Sequence, residues 1–142
     1  MSDLYFAYGS NLDTAQMLER CPGSRAMFRA QLSHHRLDFT HFSTRWNGGA
    51  ADVVPHSGAS VWGLVYALTA HDLDLLDQYE GGYQRILLEV LDDGGGAHVA
   101  TTYVVEQKHS FRPSAVYIEK MIRAAIEWDF PAPYVESLKL YR

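Results

Sequence analysis

The sequence predicts an α+β fold built on a small, mostly antiparallel or mixed sheet, open or curled into a barrel. Two observations carry this. Apolar runs of strand length outnumber helical patterns, and they are not regularly separated by helices as a parallel βαβ sheet requires. The 142 residues, 47% hydrophobic and 20% charged, show no repeat or linker and read as one domain over 1–142.

Leu4-Tyr5-Phe6-Ala7-Tyr8 is a short aromatic strand closed by Gly9-Ser10-Asn11. Asp13, with Gln16 three residues on, forms a capping box for a helix that runs to Arg20 and stops at Cys21-Pro22-Gly23-Ser24. Alternation of Ala26, Phe28, Ala30 and Leu32, and again of Leu37, Phe39 and His41, predicts two strands with one wet face each. Gly48 to Val54 enters another strand, Pro55 to Ser60 is a polar turn cluster, and Val61 to Leu68 is β-branched and aromatic enough for a central strand. Thr69 caps a helix with Leu73, Leu75 and Leu76 on its apolar face, ending at Tyr79. The runs 86–91 and 99–105, joined by Asp92-Asp93-Gly94-Gly95-Gly96, read as a hairpin whose flexible turn specifies register loosely. Ser114 caps a helix with Ile118, Met121, Ile122, Ala125 and Ile126 at helical spacing, Pro131 and Pro133 break it, and a last short helix carries Val135 and Leu138.

Composition excludes several function classes. The apolar run from Val61 to Leu68 is far short of the roughly 20 residues of a membrane span, and Met1-Ser2-Asp3-Leu4 lacks the basic region of a signal peptide. One cysteine, Cys21, cannot form an internal disulfide and fits a reducing cytoplasm. Twelve Lys and Arg against seventeen Asp and Glu give a net charge of −5, which argues against nucleic acid or an anionic membrane as partner. No nucleophile elbow, phosphate loop or C-x-x-C pair is present. His34, His35 and His41 invite a metal reading, but adjacent strand residues point to opposite faces, so no metal site is expected. Cys21, in a Pro-Gly turn without a basic neighbourhood, reads as a half-buried turn residue rather than a reactive thiol.

Two segments remain. Tyr8-Gly9-Ser10-Asn11 sets a glycine, successive backbone N–H groups and a hydroxyl in one turn, a pattern that captures a carboxylate and also serves as plain punctuation. Glu80 follows an apolar helix, next to Tyr79 and before Gly81-Gly82. Among aromatics its carboxyl would rise towards the range of proton transfer; exposed, it would be an ordinary helix-end residue.

The motif Tyr5-Phe6-Ala7-Tyr8-Gly9-Ser10-Asn11-Leu12 resembles the opening motif of the γ-glutamylcyclotransferase family. Leu37-Asp38-Phe39, Gly48-Gly49-Ala50-Ala51, Val61-Trp62-Gly63, Leu76-Asp77 with Glu80-Gly81, Tyr103, and Pro113-Ser114 with Tyr117 follow in the family's order over nearly the whole chain. The resemblance implies a small mixed, mostly antiparallel β-barrel with flanking helices. It implies that the substrate's own α-amine attacks its γ-amide carbonyl, releasing 5-oxoproline and an amine, with no metal, cofactor, nucleotide or protein nucleophile. It places the acid/base glutamate on Glu80 and substrate contacts on Tyr8, Gly9, Ser10, Asn11, Tyr83 and Tyr117, with a small γ-glutamyl amino acid or amine as partner. Glu80-Gly81-Gly82-Tyr83 leaves only two residues between acid and tyrosine, fewer than in several relatives. Related chemistry removes a γ-glutamyl protecting group from a biosynthetic intermediate, and a non-catalytic binding protein or a metal-dependent hydrolase would be a different class. Relatives include homodimers, and no stripe in this sequence is diagnostic of an interface.

Overall fold

In the computed structural model, which describes residues 3–106 and 109–142, five strands close a barrel in the order β1-β3-β2-β4-β5. Met1 and Ser2 of the N-terminal stretch lie outside the described residues. The strands are β1 (Asp3–Ala7), β2 (Arg25–Ser43), β3 (Gly48–Leu68), β4 (Gln84–Leu91) and β5 (Ala97–Val104). All their pairings are antiparallel except that of β1 with β5, where Tyr5 faces Thr101 and the barrel shuts. The mixed, mostly antiparallel barrel expected from the sequence is therefore found.

Two expectations about β2 and β3 are corrected. The separate strands at 26–32 and 37–41 are one strand, and the Pro55–Ser60 turn cluster lies inside another. Ser33 pairs with Ser60 and His35 with Pro55, so His34 alone faces the stretch 56–59. His34 (φ +59°) and Gly58 (φ +83°) take left-handed conformations there. A proline, a glycine and small polar residues signal a turn, but here they form an exposed bulge that bends a ribbon without reversing it. Beyond the bulge, His35–Ser43 and Gly48–Pro55 form a two-stranded arm whose tip, 44–47, ends beside the site described below.

Four helices flank the barrel: α1 (Thr14–Arg20), α2 (Ala70–Tyr79), α3 (Ala115–Glu127) and α4 (Ala132–Lys139). Asp13 caps α1 by accepting from the amides of Ala15 and Gln16, but the Gln16 side chain does not complete the expected box; it turns to the loop before the helix. Thr69 and Asp72 form a full capping box on α2, and Ser114 accepts from Tyr117 N to start α3. On α3, Ile118, Met121, Ile122 and Ala125 are buried as expected, whereas Ile126 is 59% exposed, one turn past the packed stripe. Pro131 and Pro133 separate α3 from α4 and also start α4, where the missing N–H groups are no loss. The 92–96 turn is not loose: Asp92 Oδ1 accepts from Gly94 N and Gly96 N, and Oδ2 meets His98, which fixes the register of β4 on β5. No helix among the described residues is long and apolar enough to cross a membrane.

Phe6, Leu12, Met17, Leu64, Tyr66, Leu76, Ile118 and Met121 are each less than 2% exposed and join barrel and helices in one core. Full burial of such a side chain stabilises by about 1.5–3 kcal/mol. This packing carries the end of β1, the end of α2 and the start of α3 to the same mouth of the barrel.

Candidate active site

Tyr8 follows the last residue of β1 and its hydroxyl donates to the Tyr103 carbonyl, and the chain then tightens into a 3-10 turn at Ser10–Leu12. Gly9 is required by space: a Cβ there would lie 2.5 Å from the Tyr117 hydroxyl and 3.0 Å from Ala51 Cβ. Ser10 Oγ accepts from Gln16 Nε2 (3.0 Å). Asn11 is buried with its side-chain amide and its carbonyl fully engaged. The amide nitrogen donates to Tyr5 Oη (3.0 Å) and Glu80 Oε1 (3.3 Å), Oδ1 accepts from Gln16 (2.9 Å) and Arg20 (3.1 Å), and the carbonyl accepts from Tyr66 (2.7 Å). A loop so satisfied is pre-organised, because every alternative breaks several buried hydrogen bonds.

Glu80 is the C-cap of α2, half-buried at the pocket wall, where α2 delivers it to the Asn11 amide. Burial raises its carboxyl to about 7, with Arg20 opposing the rise and Asp77 adding to it. Gly82 (φ +88°) then lets the chain fold flat against His41, whose ring a Cβ would meet at 2.4 Å. This brings Tyr83 round to donate to the Ala51 carbonyl (2.6 Å). The two residues between Glu80 and Tyr83 are therefore enough to set both on the same pocket.

Tyr117, buried in the first turn of α3, accepts at its hydroxyl oxygen from Ala51 N (2.9 Å) and Ser10 N (3.3 Å). The Ser10 side chain also meets this hydroxyl. Glu80, Tyr8, Gly9, Ser10, Asn11, Tyr83 and Tyr117, dispersed over more than a hundred residues of sequence, all line one cavity of about 260 Å³. Its size suits a small ligand.

Other lining residues were not legible as site residues. Arg20 reaches Asn11 from α1, and Arg45 and Trp46 come from the arm tip. Gln16 supports the loop from behind, through Ser10 and Asn11. Their signal would have been position alone, since nothing in the sequence announces which tip or helix end meets the barrel mouth. His34 and His35 stay on the ribbon, where His34 Nδ1 meets Gly58 N and His35 Nδ1 meets the Ser33 carbonyl. His41 packs edge-on against Tyr83 in the pocket. Cys21 is fully buried rather than half-buried, its Sγ donating to the Asp72 carbonyl, and burial pushes its thiol up to about 11.

The chain is similar to known proteins over nearly its whole length. The model of the AIG2-like family matches residues 60–138. The γ-glutamylcyclotransferases of mouse and human are each 34% identical to the chain, aligned over 96% and 97% of it and over 77% and 78% of their own lengths. A solved structure of a γ-glutamyl cyclotransferase superimposes with a TM-score of 0.93 at 33% identity, covering 98% of this chain and 87% of that one. The chain belongs to the AIG2-like family and, within it, to the γ-glutamylcyclotransferases.

Proposed function

We propose that this protein is a γ-glutamyl cyclotransferase in which Glu80 carries protons from the substrate's α-nitrogen to the leaving nitrogen. The observation that supports this most is the Glu80 carboxyl itself, held near neutrality at the wall of the pocket and hydrogen-bonded by Asn11 of the 8–11 loop. A base must be ionised at working pH and yet strong enough to take a proton, and a carboxyl near 7 meets both demands.

The reaction is balanced within substrate and Glu80. The α-nitrogen enters as an ammonium, and loss of a proton to Glu80 frees its lone pair to attack the γ-carbonyl carbon. A carbon–nitrogen bond forms, the five-membered ring closes, and the bond to the original amide nitrogen breaks. The α-nitrogen gives up two protons on becoming a lactam N–H, the leaving nitrogen gains two on becoming an ammonium, and Glu80 returns as a carboxylate. No water is consumed. Holding the glutamyl chain bent supplies the orientation, since the nucleophile is part of the same molecule. In this reading the Tyr117 hydroxyl and the polar edge of the 8–11 loop receive the α-carboxylate or the carbonyl oxygen as it gains charge. Tyr83 and Tyr8, each donating to a backbone carbonyl, shape the walls.

The test is 5-oxoproline release measured across γ-glutamyl amino acids, γ-glutamyl amines and glutathione. Release from at least one small γ-glutamyl compound is expected; release from none overturns the reading.

A further inference from the structure

Tyr79 is the last residue of α2 and stands next to Glu80. It is 39% exposed, and among the described residues its hydroxyl makes no hydrogen bond. Its ring, by contrast, takes contacts from two other elements. The Arg20 guanidinium of α1 lies 4.7 Å from the ring centre, and that of Arg45, at the arm tip, lies 5.2 Å from it. Arg20 has one hydrogen bond besides, to Asn11 Oδ1 (3.1 Å), and among the described residues it forms no direct ion pair with Glu80. It therefore acts on the carboxyl across a gap, and the size of the effect depends on how well that gap is kept. Asn11 keeps it on one side and the Tyr79 ring on the other. The ring is itself steadied by Arg45, whose tip is anchored. Trp46, the next residue, donates its amide to Ser43 Oγ (3.3 Å) and packs edge-on against Tyr117, and the Lys120 ammonium lies over the Trp46 ring.

We propose that Tyr79 is a positioning residue for the proton carrier: its ring gathers Arg20 and Arg45, joins α1, α2 and the arm tip at the pocket, and so fixes the counter-charge of Glu80. This rests on the cyclotransferase reading above, in which Glu80 moves protons. A ring face offers a planar guanidinium a site defined in both distance and tilt. The charged or titratable groups around Glu80 are Arg20, Asp77 on its own helix, and Arg45 and His41 from the arm. The phenols of Tyr5, Tyr8, Tyr83, Tyr103 and Tyr117 and the Cys21 thiol are all raised by burial, so they stay neutral where Glu80 titrates. The sign of the effect separates two roles for the ring. A ring that merely shielded Glu80 from water would, on removal, wet the carboxyl and let it ionise at lower pH. A ring that holds Arg20 would, on removal, loosen the counter-charge and make the carboxyl ionise at higher pH.

The test titrates the Glu80 carboxyl carbon by NMR, which needs no substrate and is distinct from His41, and in parallel follows the acid limb of kcat/KM for 5-oxoproline release. Tyr79→Leu keeps apolar bulk without an aromatic face. It should raise both midpoints by about 0.5–1 pH unit, a loss of about 3–10-fold in kcat/KM at pH 6. Tyr79→Phe, which keeps the face and drops the idle hydroxyl, should hold the parent midpoint. In an Arg20→Gln background, where an uncharged amide replaces the guanidinium, Tyr79→Leu should move the midpoint by less than about 0.2 pH unit. A midpoint that stays or falls in Tyr79→Leu, or rises equally with Arg20 present and absent, overturns the Tyr79 assignment and leaves the cyclotransferase reading standing. If no γ-glutamyl compound yields 5-oxoproline with the unmodified protein, that reading falls and the assignment falls with it.

Discussion

Replacing Glu80 by Gln should remove activity and add stability, and both effects follow from the loss of an ionisable group. Gln has the shape of a protonated glutamate and keeps an oxygen for the Asn11 amide. It does not ionise. A carboxyl moved from 4.5 to about 7 on folding binds its proton more tightly in the folded chain, so the folded state loses stability as pH rises through that window and the loss is complete above it. Conversion at about 1.4 kcal/mol per tenfold gives an upper bound of about 3 kcal/mol. Glu80 faces pocket water on one side, which reduces the expected cost to about 1–2 kcal/mol. For a chain of this size that corresponds to about 3–7 °C in melting temperature. Thermal melts followed by circular dichroism at pH 4 and pH 8 read the effect directly: Glu80→Gln should melt higher than the unmodified protein at pH 8, with the two curves converging at pH 4. In parallel, 5-oxoproline release should fall by about 10²–10⁴-fold. The acid limb of kcat/KM in the unmodified protein should be centred near pH 7, leaving about a tenth of the plateau at pH 6. A variant less stable than the parent at pH 8 would refute the claim that burial opposes the Glu80 charge. A rate that stays flat down to pH 5 would refute its role as a base.

Three further substitutions probe the loop and its supports. Tyr117→Phe removes the oxygen that accepts from Ser10 N and Ala51 N, and should cost about 1–3 kcal/mol in a denaturant melt together with a rise in KM. Gly9→Ala forces a methyl against the Tyr117 hydroxyl and Ala51; a loss of about 1–3 kcal/mol in chemical denaturation is expected, with 5-oxoproline release reduced at least tenfold. Gln16→Leu strips Ser10 and Asn11 of a shared donor while staying buried on α1, and should lower kcat/KM more than it lowers the melting temperature.

How far the sequence discloses this molecule depends on whether the deciding forces are local. The caps at Asp13, Thr69 and Ser114 were legible because capping is settled within three or four residues. The alternation Ala26, Phe28, Ala30, Leu32 was legible because one face is buried. The bulge at His34 was not, since a turn and a bulge call for the same residues and only the partner strand decides between them. The Asp92 staple was missed for the opposite reason: one side chain satisfies the turn, and counting glycines conceals it. Within the site, the two poles could be picked out by the Gly-Ser-Asn turn and by a carboxyl after an apolar helix, and family resemblance joined them. Gln16, Arg20 and Arg45 were invisible because each enters the site only through a tertiary meeting of α1 or the arm tip with the barrel mouth.

The net charge of −5 is at odds with a pocket for anions only if charge is summed without regard to distance. At physiological salt, charges more than about 8 Å apart in solvent scarcely feel one another, so the surface carboxylates hardly bear on the ligand. The arginines and carboxylates that line the pocket are Arg20, Arg45 and a single acid, Glu80. Glu80 then has two effects that pull against each other. In the proposed mechanism its ionised form is the base, and that form also cancels part of the positive field around the pocket; protonated, it would leave the field strong and the chemistry stalled. Arg20 moderates the conflict by lowering the Glu80 pKa against burial while being held by Asn11 and so kept beside the acid. Asn11, donating to Glu80 and accepting from Arg20, keeps base and counter-charge at a set separation. This gives the fully bonded asparagine of the 8–11 loop an electrostatic task as well as a structural one.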